Sequence, residues 1–133
     1  MLASALLSPL GQTKIHLYAK PVDMRRSFDG LHAIVQSEFR RDIRDGDVFV
    51  FLNRRLDRVK LIHWDRDGMA IWMKRLERGT FQRPRSPPSA VQVEMDATDL
   101  ALLLSGIELT SVKRRPRYSP DATKLRAREP MAS

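Results

Sequence analysis

The sequence predicts an α+β domain: an antiparallel sheet of four to five short strands, two helices, and a disordered basic C-terminal tail. Three observations predict it. Residues 47–76 read as successive β-prone runs separated by polar turns. Two amphipathic stretches, each opened by an aspartate, carry helical spacing of their apolar residues. Beyond Thr110 the apolar pattern stops, and SVKRRPRYSPDATKLRAREPMAS holds three prolines and almost no aliphatic side chains.

The elements follow in order. Residues 1–12 are expected to form a loosely held extension. MLASALLSPLG lacks a basic n-region and is interrupted by Gly11, so it does not read as a signal peptide. Lys14 to Tyr18 alternates polar and apolar, as a short strand does, and Pro21 ends it. Asp23 is placed as an N-cap for a helix over 24–39. Its stripe is Met24, Phe28, Leu31 and Val35, widened by Ile34. Gly30 inside that helix costs about 1 kcal/mol relative to alanine, which suggests a close approach there.

Asp45-Gly46 signals a turn. DVFVFL (47–52) is apolar on both faces, as in a strand at the centre of a sheet. Asn53-Arg54-Arg55 makes a polar turn into a second strand, LDRVKLIHW (56–64). Asp65-Arg66-Asp67-Gly68 turns the chain again, with Gly68 available for a positive φ, into a third strand over 69–76. Thr80 to Arg83 suggests a short edge strand before Pro84, and Val91, Val93 and Met95 another strand. Asp96 caps a helix over 97–104, stopped at Gly106. The division is thus an extension over 1–12, one domain over 13–110 and a tail over 111–133.

Of 133 residues, none is cysteine, which excludes disulfides and thiolate chemistry. No window approaches the roughly 18 to 20 apolar residues of a membrane span. A cytoplasmic protein with no membrane partner is expected. The formal charge of +8 is unevenly distributed. Residues 54–85 carry a net +6, residues 86–112 a net −4, and residues 113–128 again +6. Two basic blocks point to a polyanion such as DNA. The alternative is solubility and a solvated tail.

The enzyme case is thin. His16, His32 and His63 have no metal-pair spacing, and no nucleophile elbow or phosphate-cradling glycine loop is present. Asp65 and Asp67 pair two carboxylates, with Asp23 and Asp29 as further candidates for a metal-dependent nuclease. Ordinary turn and cap roles account for all four. No catalytic residue, metal or cofactor is therefore assigned.

The binding case is richer. Arg54, Arg55, Arg58, Lys60, Arg66, Lys74, Arg75 and Arg78 are candidate DNA-binding residues on or near the central hairpin. Strand parity groups Arg58, Lys60, Ile62 and Trp64, and likewise Ala70, Trp72, Lys74 and Leu76. If those two sets share a face, cations and two indoles form a surface for single strands. Otherwise the tryptophans are core and the cations snorkel. Lys113, Arg114, Arg115 and Arg117 add a basic arm.

These stretches resemble a known family. PVDMRRSFDGL (21–31), VFVFLNRRLDRVKLIHWDRDGMAIWMKRLERGTF (48–81) and ALLLSGIEL (101–109) are similar to the small TnpB-type accessory protein of insertion-sequence family 66, across roughly residues 13–110. That family is unrelated to the RNA-guided nucleases sharing the name. The motif positions are Asp23, Met24, Arg25, Ser27, Phe28, Gly30 and Leu31, then Asn53, Arg54, Arg55, Trp64, Asp65, Gly68 and Trp72. Met73 stands where an aromatic residue is expected after Trp72. The resemblance implies a non-catalytic accessory protein of DNA transposition, encoded beside a larger transposase; taken with the basic block over 54–85, it makes DNA and/or that transposase the expected partners. A protein-only adaptor is the rival reading. It would use the Met24/Phe28/Leu31 helix, the exposed sheet face or the acidic, Leu-rich segment 94–109.

Overall fold

The computed structural model describes residues 13–106. The extension over 1–12, the tail over 111–133 and its basic arm lie outside the described residues. Five strands form one sheet in the order β4-β3-β2-β1-β5: β1 (Ile15–Tyr18), β2 (Val48–Leu52), β3 (Arg58–Asp65), β4 (Gly68–Arg75) and β5 (Gln92–Met95). The α+β class holds, with helices α1 (Phe28–Ile34) and α2 (Ala97–Leu104). Every neighbouring pair is antiparallel except one: β1 and β2 run parallel, with Ile15 opposite Val48. The reason is the connection between them. It carries α1 across one face of the sheet, and such a crossover returns the chain in the same direction.

β2 is buried at all five positions, as its uninterrupted apolar run requires. Its alternate residues feed two cores on opposite faces. Val48, Val50 and Leu52 join Ile15, Leu17, Leu61, Phe81 and the α2 leucines 100, 103 and 104. Phe49 and Phe51 join Tyr18, Leu31, Val35, Phe39 and Ile62 on the α1 face. Asp96 caps α2, its carboxylate accepting from the Asp99 amide at 2.7 Å, and Gly106 ends that region with φ of 76°.

Four expectations are corrected. The first helix begins at Phe28 rather than Met24, and it widens into a π turn over Val35–Phe39. Asp23 does not cap it. Its carboxylate accepts from the Arg25 amide at 2.9 Å, and the carbonyls of Met24 and Arg26 receive the Lys60 ammonium at 2.8 and 2.6 Å. Those carbonyls are the acceptors that an earlier helical turn would need. Phe28, placed in the apolar stripe, is consequently 44% exposed at the start of the helix. Gly30 does meet a close approach: a Cβ there would lie 3.1 Å from Cβ of Arg26.

Residues 80–83 form no strand. Phe81 is fully buried and its amide donates to the Leu56 carbonyl at 2.7 Å, which holds this segment as a strap over the sheet. The hairpin of β3 and β4 turns on Arg66, not Gly68: Arg66 has φ of 57°, and the Asp67 amide donates to the Asp65 carbonyl. Finally, the two tryptophans lie on opposite faces. Leu61 pairs with Trp72 and Trp64 with Met69, so Trp64 shares its face with Lys60 and Arg58, and Trp72 does not.

Candidate nucleic-acid interface

The β2–β3 turn builds the site. Asn53 organises it from within. Its amide oxygen accepts from the backbone amides of Asp57 and Arg58, both at 3.0 Å, and its Nδ2 donates to the Asp57 carboxylate at 2.6 Å. The bond from Asn53 holds the Asp57 carboxyl below its usual range, with Arg55 and Arg58 adding to the effect. Leu56 sits in the left-handed region with φ of 61°. Its carbonyl accepts from Phe81 and its amide donates to Asn53, so the strained residue is held at both ends. Such a turn presents Arg54 and Arg55 to solvent, and both are exposed.

The first motif is brought alongside. Val22 is buried, and its amide donates to the Leu52 carbonyl at 2.9 Å, at the end of β2. The Met24 and Arg26 carbonyls are tied to Lys60. Between the two motif segments lies a cleft of about 550 Å³ whose cationic lining is Arg25, Arg54, Arg55 and Arg58. Its acids are Asp23 and Asp57. Arg25 is committed to Asp23 through Nη2 at 2.7 Å, and this bond pulls the Asp23 carboxyl down to about 2. Arg54, Arg55 and Arg58 have no ion pair among the described residues. Four guanidiniums against two carboxylates leave the cleft net positive, and three of the guanidiniums keep their fork of donors for an incoming oxyanion.

The other candidate cations divide. Arg75 lies across from Arg58 in the hairpin register and bonds Glu77 at 3.1 Å. Arg66 sits at the far tip of the hairpin, about 25 Å along the strand from Arg58. Arg78 is exposed beyond β4. Lys60 and Lys74 are placed differently from expectation. Lys60 is only 8% exposed and spends its ammonium on the two carbonyls of the first motif. Lys74 donates to the Leu104 carbonyl at 2.7 Å, at the C-terminal end of α2, where a cation also offsets the helix dipole. Both are positioning residues of the fold, and neither ammonium faces the cleft.

The remaining motif positions have local roles. Leu31 is core. Ser27 precedes α1 without a side-chain cap bond. Trp64 donates its indole N–H to the Arg66 carbonyl at 2.9 Å, locking the hairpin tip between Asp65 and Gly68. Trp72 packs against the α2-side core. Asp65 and Asp67 flank the same turn, and no group of three or more His, Asp or Glu suited to a metal ion occurs among the described residues. No described helix is long and apolar enough to cross a membrane.

Sequence reasoning missed two features. Arg25 lines the cleft although it is distant in sequence, and only the unexpected turn after Asp23 brings it there. His16 is fully buried, stacked on Phe49 at 5.3 Å, with Nε2 2.9 Å from Asp47 and Nδ1 against Gln92. The alternation of polar and apolar residues over 14–18 gives no sign of it, because β1 is buried at all four positions.

With this geometry in place, comparison with known proteins is informative. A family model described as "IS66 Orf2 like protein" matches residues 13–114. Two proteins of Sinorhizobium fredii (strain NBRC 101917 / NGR234) are similar over most of the chain. The uncharacterized protein y4jC is 37% identical over 115 residues, covering 86% of this chain and 97% of that one. The uncharacterized protein y4hO is 34% identical over 101 residues, covering 75% and 86%. No solved structure matches.

Proposed function

Because the chain belongs to the IS66 Orf2-like family, whose members are accessory proteins of transposition, we propose that it serves transposition by gripping the phosphate backbone of DNA with the arginine cleft. It acts without chemistry of its own, in the cytoplasm, beside the transposase of the same element. One observation carries this reading: the two motif stretches, 21–25 and 53–58, converge on a single cleft with three uncommitted guanidiniums. Phosphate oxygens are the ligands such forks fit best, and backbone contact needs no base readout.

The test is binding to a labelled element-end duplex, a scrambled duplex and a single strand, each across a salt series. Affinity for the duplexes falls with salt at a log–log slope near about −0.9 per phosphate neutralised. Changing Arg54, Arg55 and Arg58 together to Ala flattens that slope by up to roughly three contacts' worth and lowers affinity about tenfold or more at low salt. Unchanged affinity in the triple variant would reject the cleft as the DNA surface.

A further inference from the structure

The geometry points to β4 as the seam of a homodimer, in which two copies pair their outer strands antiparallel and fuse the two sheets into one. β4 is an edge strand among the described residues, eight residues long, in unbroken register with β3. A regular open edge exposes a ladder of N–H and C=O groups that seeks a partner. The usual guards are missing. β4 has no proline and no bulge, and its two charges stand at one end. Of these, Lys74 is turned away to the end of α2. By contrast β5, at the opposite edge, is only four residues long.

Self-pairing about Ile71 satisfies the strand residue by residue. Met69 of each copy then opposes Met73 of the other, and Ile71 opposes its own equivalent. These residues share the α1 face, where Met69 and Ile71 already pack on the core and Met73 is 49% exposed. Ala70 opposes Trp72 on the other face. Lys74 meets Gly68, so no like charges face each other. At each end Arg75, which bonds Glu77 within its own chain, comes opposite Asp67 in the turn before β4 of the other copy. That charge complementarity, with the apolar match at the centre, selects a second copy over an unrelated strand.

The two-fold axis of such a seam stands perpendicular to the sheet, so both arginine clefts open on the same side. Counting strand rises from Ile71, the two Arg58 residues stand about 30 Å apart. One turn of B-DNA is roughly 34 Å. On the proposed backbone-binding reading, a single duplex would therefore span both clefts.

The experiment needs no DNA, so its failure is distinct from failure of the cleft. Sedimentation velocity of the full chain from about 1 to 100 μM brackets weak to moderate association. The expected result is an average mass rising toward two chains. Met73→Lys, at an exposed position that leaves the fold intact, raises the dissociation constant about tenfold or more, because two methionines lose their burial per dimer. Asp67→Arg weakens the dimer severalfold, and adding Arg75→Asp in the same chain restores it. A wild-type chain that stays monomeric overturns the proposal, whatever else covers the edge. A dimer indifferent to Met73→Lys overturns it too, since the contact would lie elsewhere.

Discussion

The turn at Asn53–Arg58 and the flanks of the β3–β4 hairpin carry the same kind of residue to opposite ends. At the turn, Arg54 and Arg55 are exposed and, with Arg58, have no ion pair among the described residues. On the hairpin, Lys60 and Lys74 are drawn inward and close backbone carbonyls of neighbouring segments. The difference lies in reach and hydration. Lysine is a compact charge on a long apolar stem, suited to lie along a sheet and satisfy carbonyls at its far end. Arginine is a rigid fork better suited to an oxyanion. A basic block in sequence is thus two things in space: an exposed turn of arginines and a set of internal struts.

Removing a strut should have the largest effect on stability. Lys60→Ala removes two part-buried bonds from an ammonium to the Met24 and Arg26 carbonyls, and a hydrogen bond to a charged group contributes about 1.5–3 kcal/mol. A loss of roughly 2–4 kcal/mol in urea unfolding is expected. The comparison breaks if Lys60→Ala is as stable as wild type yet binds DNA more weakly, because Lys60 would then belong to the ligand surface. Asn53→Ala comes next. It removes three side-chain bonds of the turn, and a loss of about 1–2 kcal/mol is expected together with weaker DNA binding. The arginine triple variant comes last in stability, within about 0.5 kcal/mol of wild type, while its DNA affinity falls. Equal stability losses in all three variants would erase the distinction between strut and surface.

Much of the strand pattern was legible because strands announce themselves locally. The apolar run at 48–52, the turn residues at 53–55 and the Asp96 cap each needed only neighbours in sequence. What was not legible depended on partners far away. The helix after Asp23 has the right periodicity from Met24, but Lys60 takes two of the carbonyls from 36 and 34 residues off. The parity of each strand was readable, yet the register was not. A shift of one residue decides whether Trp64 and Trp72 share a face, and the register with Leu61 opposite Trp72 separates them. The cleft itself was half visible. Arg54, Arg55 and Arg58 stand together in the sequence, but their neighbour Arg25 lies on the first motif, which the Val22 bond to the end of β2 and the turn after Asp23 bring alongside.

Arg25 also allows the finest test of the comparison, since it belongs to the cleft but is held by Asp23. The bond lowers the Asp23 carboxyl to about 2, below its unfolded value of 3.8. A depressed acid contributes stability that is present above the unfolded value and lost as pH falls through the folded one. The stability difference between wild type and Asp23→Asn should therefore be constant above about pH 5 and shrink between roughly pH 4 and 2. The site is exposed, so that difference is small. Its effect on binding should be opposite in sign. Asp23→Asn removes one negative charge from the cleft and releases Arg25, so DNA affinity at low salt should rise about two- to threefold, with a steeper salt slope. Affinity that falls instead would mean that Asp23 positions Arg25 for the phosphate rather than competing with it, and the tethered guanidinium would then count as part of the grip.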